Sequence, residues 1–133
     1  MAPIDPRAIE RVKGPAWDGI RHQFETVART LLDAAPDTAS ELTTIYVKFR
    51  VTADGPVYAV VWLRRASELV VGLAVPQDAG GKLSAPPKGR EYPKLRGYFV
   101  VPAGGTVPRE LAAWANAAYA AVRVSACLQS SQS

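Results

Sequence analysis

Five basic side chains, Lys82, Lys88, Arg90, Lys94 and Arg96, fall within fifteen consecutive residues that hold a single acid, Glu91. Their local charge of +4 equals the formal charge of the whole 133-residue chain, so the remainder is neutral overall. A field concentrated in this way draws anions: phosphates, nucleic acid or an acidic protein partner. Tyr92 and Tyr98 interleave with the cations and are of a type on which bases stack. Arg64 and Arg65 add charge from a neighbouring turn, and Lys48 and Arg50 from a strand. The residues expected to hold a polyanion are thus Lys82, Lys88, Arg90, Lys94, Arg96, Arg64 and Arg65. The competing reading is a solvated loop that only keeps the protein soluble.

A second constellation is aromatic. Tyr46, Tyr58, Trp62 and Tyr98 sit at alternate positions of apparent strands, with Lys48 beside them. Aromatic walls with a cation suit a small anionic ligand. The same side chains would equally serve as core beneath a helix.

Other chemistry finds little support. A nucleophilic cysteine needs a base and a setting that lowers its pKa. Cys127 and His22 are the only residues of their kinds, and nothing in their spacing brings them together. One His and one Cys fall short of the four ligands a zinc site wants, so no metal or other cofactor is expected. Asp18, Glu25 and Asp33 line the polar side of a helix, and Asp54, Glu68 and Asp78 flank turns, which leaves no carboxylate pair for acid–base work. Gly80-Gly81-Lys82 lacks the earlier glycine and the following Ser or Thr of a phosphate loop. Gly104-Gly105-Thr106 precedes a helix and would offer amides to an anion, although Glu110 opposes one. A non-catalytic module is the expectation.

The elements that must position these residues follow from periodicity. Trp17, Ile20, Phe24, Val27, Leu31 and Ala35 recur at helical spacing, Pro15 suits the first turn and Pro36 stops it. Arg21, Glu25 and Arg29 form a solvated ladder opposite. Asp5-Pro6 would start a short extra helical turn. The period then becomes two: Ile45, Val47, Phe49 and Val51 alternate with Thr44, Tyr46, Lys48 and Arg50. Val57–Leu63, Leu69–Val75 and Gly97–Val101 read as three further strands, and short turns make the first three antiparallel neighbours. Residues 76–96, rich in Pro and Gly, show no periodicity, and a short strand could hide at Lys82–Ser84. Loops of this length usually carry function or motion. Leu111, Trp114, Ala115, Ala118 and Val122 mark a last helix from Pro108 to Ala126.

Hydrophobic residues make up 48% of the chain and charged ones 21%, an ordinary globular composition for one domain. No run approaches the roughly 18 apolar residues of a membrane helix. The charged N-terminus does not read as a signal peptide. A lone cysteine fits a reducing compartment, so a cytoplasmic protein without membrane contact is expected. The expected architecture is α+β: a four-stranded, mainly antiparallel meander flanked by an N-terminal and a C-terminal helix. It forms a single domain with an extension at 1–14, a core at 15–126 and a frayed tail at 127–133.

Several strings resemble a bacterial family known as domain of unknown function 5655. They are Thr44-Ile45-Tyr46-Val47-Lys48-Phe49, Leu69-Val70-Val71-Gly72-Leu73-Ala74, Arg96 before the last strand, and Pro108-Arg109-Glu110-Leu111-Ala112-Ala113-Trp114 with Ala118-Tyr119. The resemblance spans about Arg21 to Val122 and rests on packing positions. Members often carry a His soon after the Arg that precedes the last strand. Here Gly97 and Tyr98 follow, so no site carries over. In some proteins the family's domain follows nuclease-like domains, which implies a setting near nucleic acid and no activity.

Overall fold

The computed structural model describes residues 5–34, 37–43, 46–52, 54–75 and 83–132, and of 64–65 and 124–132 the backbone alone. Asp5-Pro6 does start a helix. Asp5 caps α1 (Pro6–Arg11) by accepting the Arg7 N–H at 2.9 Å, and Pro6 fills the first position, where no donor is needed. A 3₁₀ turn at Pro15–Trp17 leads into α2 (Arg21–Asp33). Arg21 is not part of a solvated ladder. Its guanidinium donates to the carbonyls of Val12, Lys13 and Gly14 at 2.8, 2.6 and 3.3 Å, tying α1 to α2.

The described residues form a five-stranded antiparallel meander in chain order. Its strands are β1 (Ala39–Leu42), β2 (Tyr46–Arg50), β3 (Val57–Arg65), β4 (Glu68–Leu73) and β5 (Gly97–Pro102). Sequence periodicity predicts four of these. β1 adds a fifth, which pairs Ala39–Leu42 with Arg50–Val47. It has no apolar alternation, because none of its residues is fully buried. The final helix, α3 (Leu111–Gln132), continues past the predicted end at Ala126. Neither Pro nor Gly stands there to stop it, so the tail expected to fray is helical as far as Gln132.

Helices cover one face of the sheet. Val47, Phe49, Ala59, Val61, Leu63, Leu69, Val71, Leu73, Phe99 and Val101 from the strands meet Phe24, Val27, Leu31, Leu111, Ala115 and Ala118 from the helices in one core. Each large side chain buried there stabilises by about 1.5–3 kcal/mol. Phe99 and Trp114 rings pack 5.7 Å apart across the β5–α3 contact. Ile45, assigned by periodicity to this face, lies outside the described residues.

One departure from alternation matters for the site. Phe49 pairs with Ala59 but Arg50 pairs with Val57, so Tyr58 is the extra residue of a β-bulge. Tyr58 therefore joins Ala59 on the helix side instead of following Val60 and Trp62 to the other. There its hydroxyl donates to the Leu31 carbonyl at 2.7 Å. With its one proton so placed, it accepts from the Thr38 hydroxyl at 3.1 Å.

Candidate nucleic-acid interface

The second face of the sheet is covered by chain without regular structure. Val60, Trp62, Val70, Tyr98 and Leu95 form a separate small core, with Tyr46 and Tyr92 packed against it. Leu95 and Tyr92 belong to a strap, residues 83–96, laid across the strands. Ser84 exchanges hydrogen bonds with Tyr98 at 2.8 and 2.9 Å on the side of β5 away from β4. The strap then reaches β2, where the Tyr92 ring meets Tyr46 edge-on at 5.9 Å. It returns with the Arg96 N–H donating to the Leu73 carbonyl at 3.1 Å. The short strand suspected near Lys82–Ser84 is, within the described residues, this single bridge at Ser84.

Tyr98 is the footing of the strap. It is 0% exposed, and its hydroxyl accepts the Tyr92 N–H at 2.9 Å. Gly72 on β4 makes room for the ring, since a Cβ there would stand 2.6 Å from Tyr98 Cε2. That close approach explains a glycine inside a strand. Burial pushes the Tyr98 phenol above its ordinary pKa, with the Tyr92 N–H opposing and Glu91 adding to the rise. Burial does the same to Tyr92, assisted by Tyr46, while Arg50 lies near enough to pull the other way.

Two tight turns shape the strap. The Arg90 N–H returns to the Pro87 carbonyl at 3.0 Å across Lys88 and Gly89, and the Leu95 N–H to Tyr92 at 3.1 Å across Pro93 and Lys94. In both, the third residue has positive φ: +80° at Gly89 and +70° at Lys94. Glycine or asparagine is the usual occupant of that position. Lys94 is the one non-glycine with positive φ among the described residues, and its left-handed backbone costs about 1 kcal/mol. Each turn carries an exposed lysine at its corner, and Arg96 is exposed beside them. Arg90 is half-buried, and its Nε is enclosed with no hydrogen-bond acceptor.

The predicted residues separate accordingly. Lys88, Arg90, Lys94 and Arg96 share the strap, with half-buried Lys48 and Arg50 on the strand beneath. Lys82 and the Gly80-Gly81-Lys82 string lie outside the described residues, as do the side chains of Arg64 and Arg65. Of the aromatic set, Tyr46, Trp62 and Tyr98 do come together, with Tyr46–Trp62 and Trp62–Tyr98 centroids 5.6 and 5.9 Å apart. Tyr58 does not join them, because the bulge turns it to the opposite face. The space a ligand would need among the three is filled by Tyr92 and Leu95. Periodicity misses this plug, although Pro87-Lys88-Gly89 and Tyr92-Pro93-Lys94 carry turn signals that mark the strap's corners.

In the loop before α3 both glycine amides are already taken. The Gly104 N–H donates to Gly19 and the Gly105 N–H to Pro102, both at 2.8 Å. A depression of about 270 Å³ at the β1 edge is lined by Asp5, Arg7, Ala39, Ser40, Glu41 and Arg50. Its charges offset one another, with Arg7–Asp5 at 2.9 Å and Arg50–Glu41 at 3.9 Å. Among the described residues no three His, Cys, Asp or Glu side chains group to hold a metal, and no helix is long and apolar enough to cross a membrane. Compared with protein-family models, curated proteins and solved structures, the chain matches none. The resemblance to the 5655 family therefore rests on the residues quoted for it and adds nothing to the site.

Proposed function

We propose that this protein is a non-catalytic binding module that takes a polyanion, nucleic acid first among them, on its strap face. The observation that carries the reading is the state of the strap's cations. Lys88, Arg90, Lys94 and Arg96 make no salt bridge among the described residues, whereas Arg7, Lys13, Arg21 and Arg50 each have a carboxylate within 4.0 Å. Charge left unneutralised on one ordered face remains available to an outside anion. Half-buried Lys48 on β2 widens the same face.

Binding of this kind is governed by phosphate contacts and is sequence-tolerant and salt-sensitive. Labelled nucleic acid titrated across a salt series, wild type beside the Lys88→Ala, Arg90→Ala, Lys94→Ala, Arg96→Ala variant, tests it. Affinity that falls steeply with salt and disappears in the variant is the expected result. No binding by the wild type at low salt would overturn the proposal and leave the strap's charge a solubilising feature.

A further inference from the structure

The strap's construction bears on which form of nucleic acid it suits. We infer, resting on the polyanion reading above, that the strap holds the phosphates of a duplex and does not stack the bases of a single strand. Proteins that bind single strands without sequence preference combine a basic groove with aromatic faces open to successive bases. Here the aromatics near the cations are occupied. Tyr98 is 0% and Trp62 3% exposed. Tyr46 and Tyr92, both half-buried, turn against each other at 81°, and Tyr46 also meets Trp62 at 78°. The rings that the sequence offers as stacking platforms are the strap's footing.

The backbone that carries the cations, by contrast, is held in place before any ligand arrives. Two hydrogen-bonded turns set Lys88 and Lys94 at their corners, and bonds through Ser84, Tyr92 and Arg96 anchor the strap to Tyr98 and Leu73. Cations on an ordered backbone meet the stiff, regular phosphates of a duplex without further ordering of the main chain. A flexible single strand gains less from them, since it must be ordered and finds no ring to stack on. Lys94 is one such cation, set on a constrained backbone. Its positive φ is a conformation in which glycine would be relaxed, yet the position carries a charge.

The test compares one labelled duplex with each of its separated strands by fluorescence anisotropy at low salt. Lys94→Gly is titrated alongside, because glycine keeps the turn. The duplex is expected to bind at least about tenfold tighter than either strand, with a log–log salt slope near −3.6 for four phosphates. Lys94→Gly should reduce the size of that slope by about 0.9 while leaving the melting temperature unchanged or higher. Equal or tighter binding of a single strand would overturn the duplex assignment and leave the polyanion reading standing. An unaltered slope in Lys94→Gly would remove the role given to that turn. Absence of binding to all three nucleic acids would overturn both readings.

Discussion

Asp5 shows how much one side chain can organise. Its carboxylate accepts the Leu42 N–H at 2.7 Å and the Arg7 N–H and guanidinium, each at 2.9 Å. Arg7 also donates to the Leu42 carbonyl at 3.1 Å. The pair thus satisfies the donor and acceptor that Leu42 turns away from β2, as a neighbouring strand would, and protects the β1 edge from pairing with another chain. The guanidinium bond is the main reason the Asp5 carboxyl is pulled down to about 2; burial opposes it, and the Leu42 and Arg7 amides assist. A carboxyl whose pKa falls on folding stabilises fully above its unfolded value, about 3.9, and loses that contribution as pH drops towards 2. With Arg7 largely exposed, the contribution at neutral pH is about 1–2 kcal/mol. Asp5→Asn keeps a helix cap but no charge. It should unfold at lower urea than wild type at pH 7, and the gap should close between pH 4 and pH 2. Equal urea midpoints at pH 7 would show that the charge contributes nothing there.

At the scale of elements, the bulge in β3 has the widest consequence. By moving Tyr58 to the helix side it links the C-terminal end of α2, through Leu31, to the entry of β1, through Thr38. Burial is the main reason the Tyr58 phenol is pushed up to about 12; the Thr38 hydroxyl opposes that rise, and Tyr119 and Asp37 add to it. A raised phenol stabilises below its unfolded value near 10 and loses that contribution as pH climbs through 12. Tyr58→Phe leaves the Leu31 carbonyl only the Ala34 N–H, at 3.2 Å, and strands the buried Thr38 hydroxyl, at a cost of about 1–3 kcal/mol at pH 7. The wild type's advantage should shrink as pH rises from 10 to 12 in parallel urea titrations. A constant gap would contradict the assignment. The bulge also marks where sequence reading stops. Alternation from Val57 to Leu63 assigns Tyr58 to the face of Trp62, and nothing local announces an extra residue that reverses it. β1 is invisible for another reason: Ala39-Ser40-Glu41-Leu42 pairs through its backbone and shows no apolar period. α2, β2 and α3 are legible because each buries one regular stripe, and β4 and β5 because each is a short apolar run, buried on both faces. The strap was legible in charge and in Pro and Gly content, but its path across the sheet depends on Tyr92 and Leu95 finding partners distant in sequence.

Taken whole, the molecule is a sheet with two unlike coverings. On one side, α2 and α3 pack a continuous core that must come apart for the chain to unfold. On the other, the strap seals five buried residues, one of them its own Leu95, with Val100 left 44% exposed beyond its reach. Removing the strap's four cations takes the formal net charge of +4 to zero, so the charged layer and the thin layer are the same piece of chain. Unequal coverings predict unequal opening. Elements with few buried contacts open at lower free energy than the core they rest on. In native-state hydrogen exchange, the Tyr92 and Arg96 amides, which donate to Tyr98 Oη and Leu73 O, should therefore exchange by a local route. Those of Val60 and Val61 in β3 should wait for global unfolding. A duplex that needs the strap closed stabilises that state in proportion to its occupancy, so saturating duplex should slow exchange at Tyr92 and Arg96 first. If the four amides exchanged with one common free energy, the strap would belong to the same cooperative unit as the helical core. Its cations would then be fixed by the whole fold, and changes at Tyr98 or Gly72 would act on binding only by unfolding the protein.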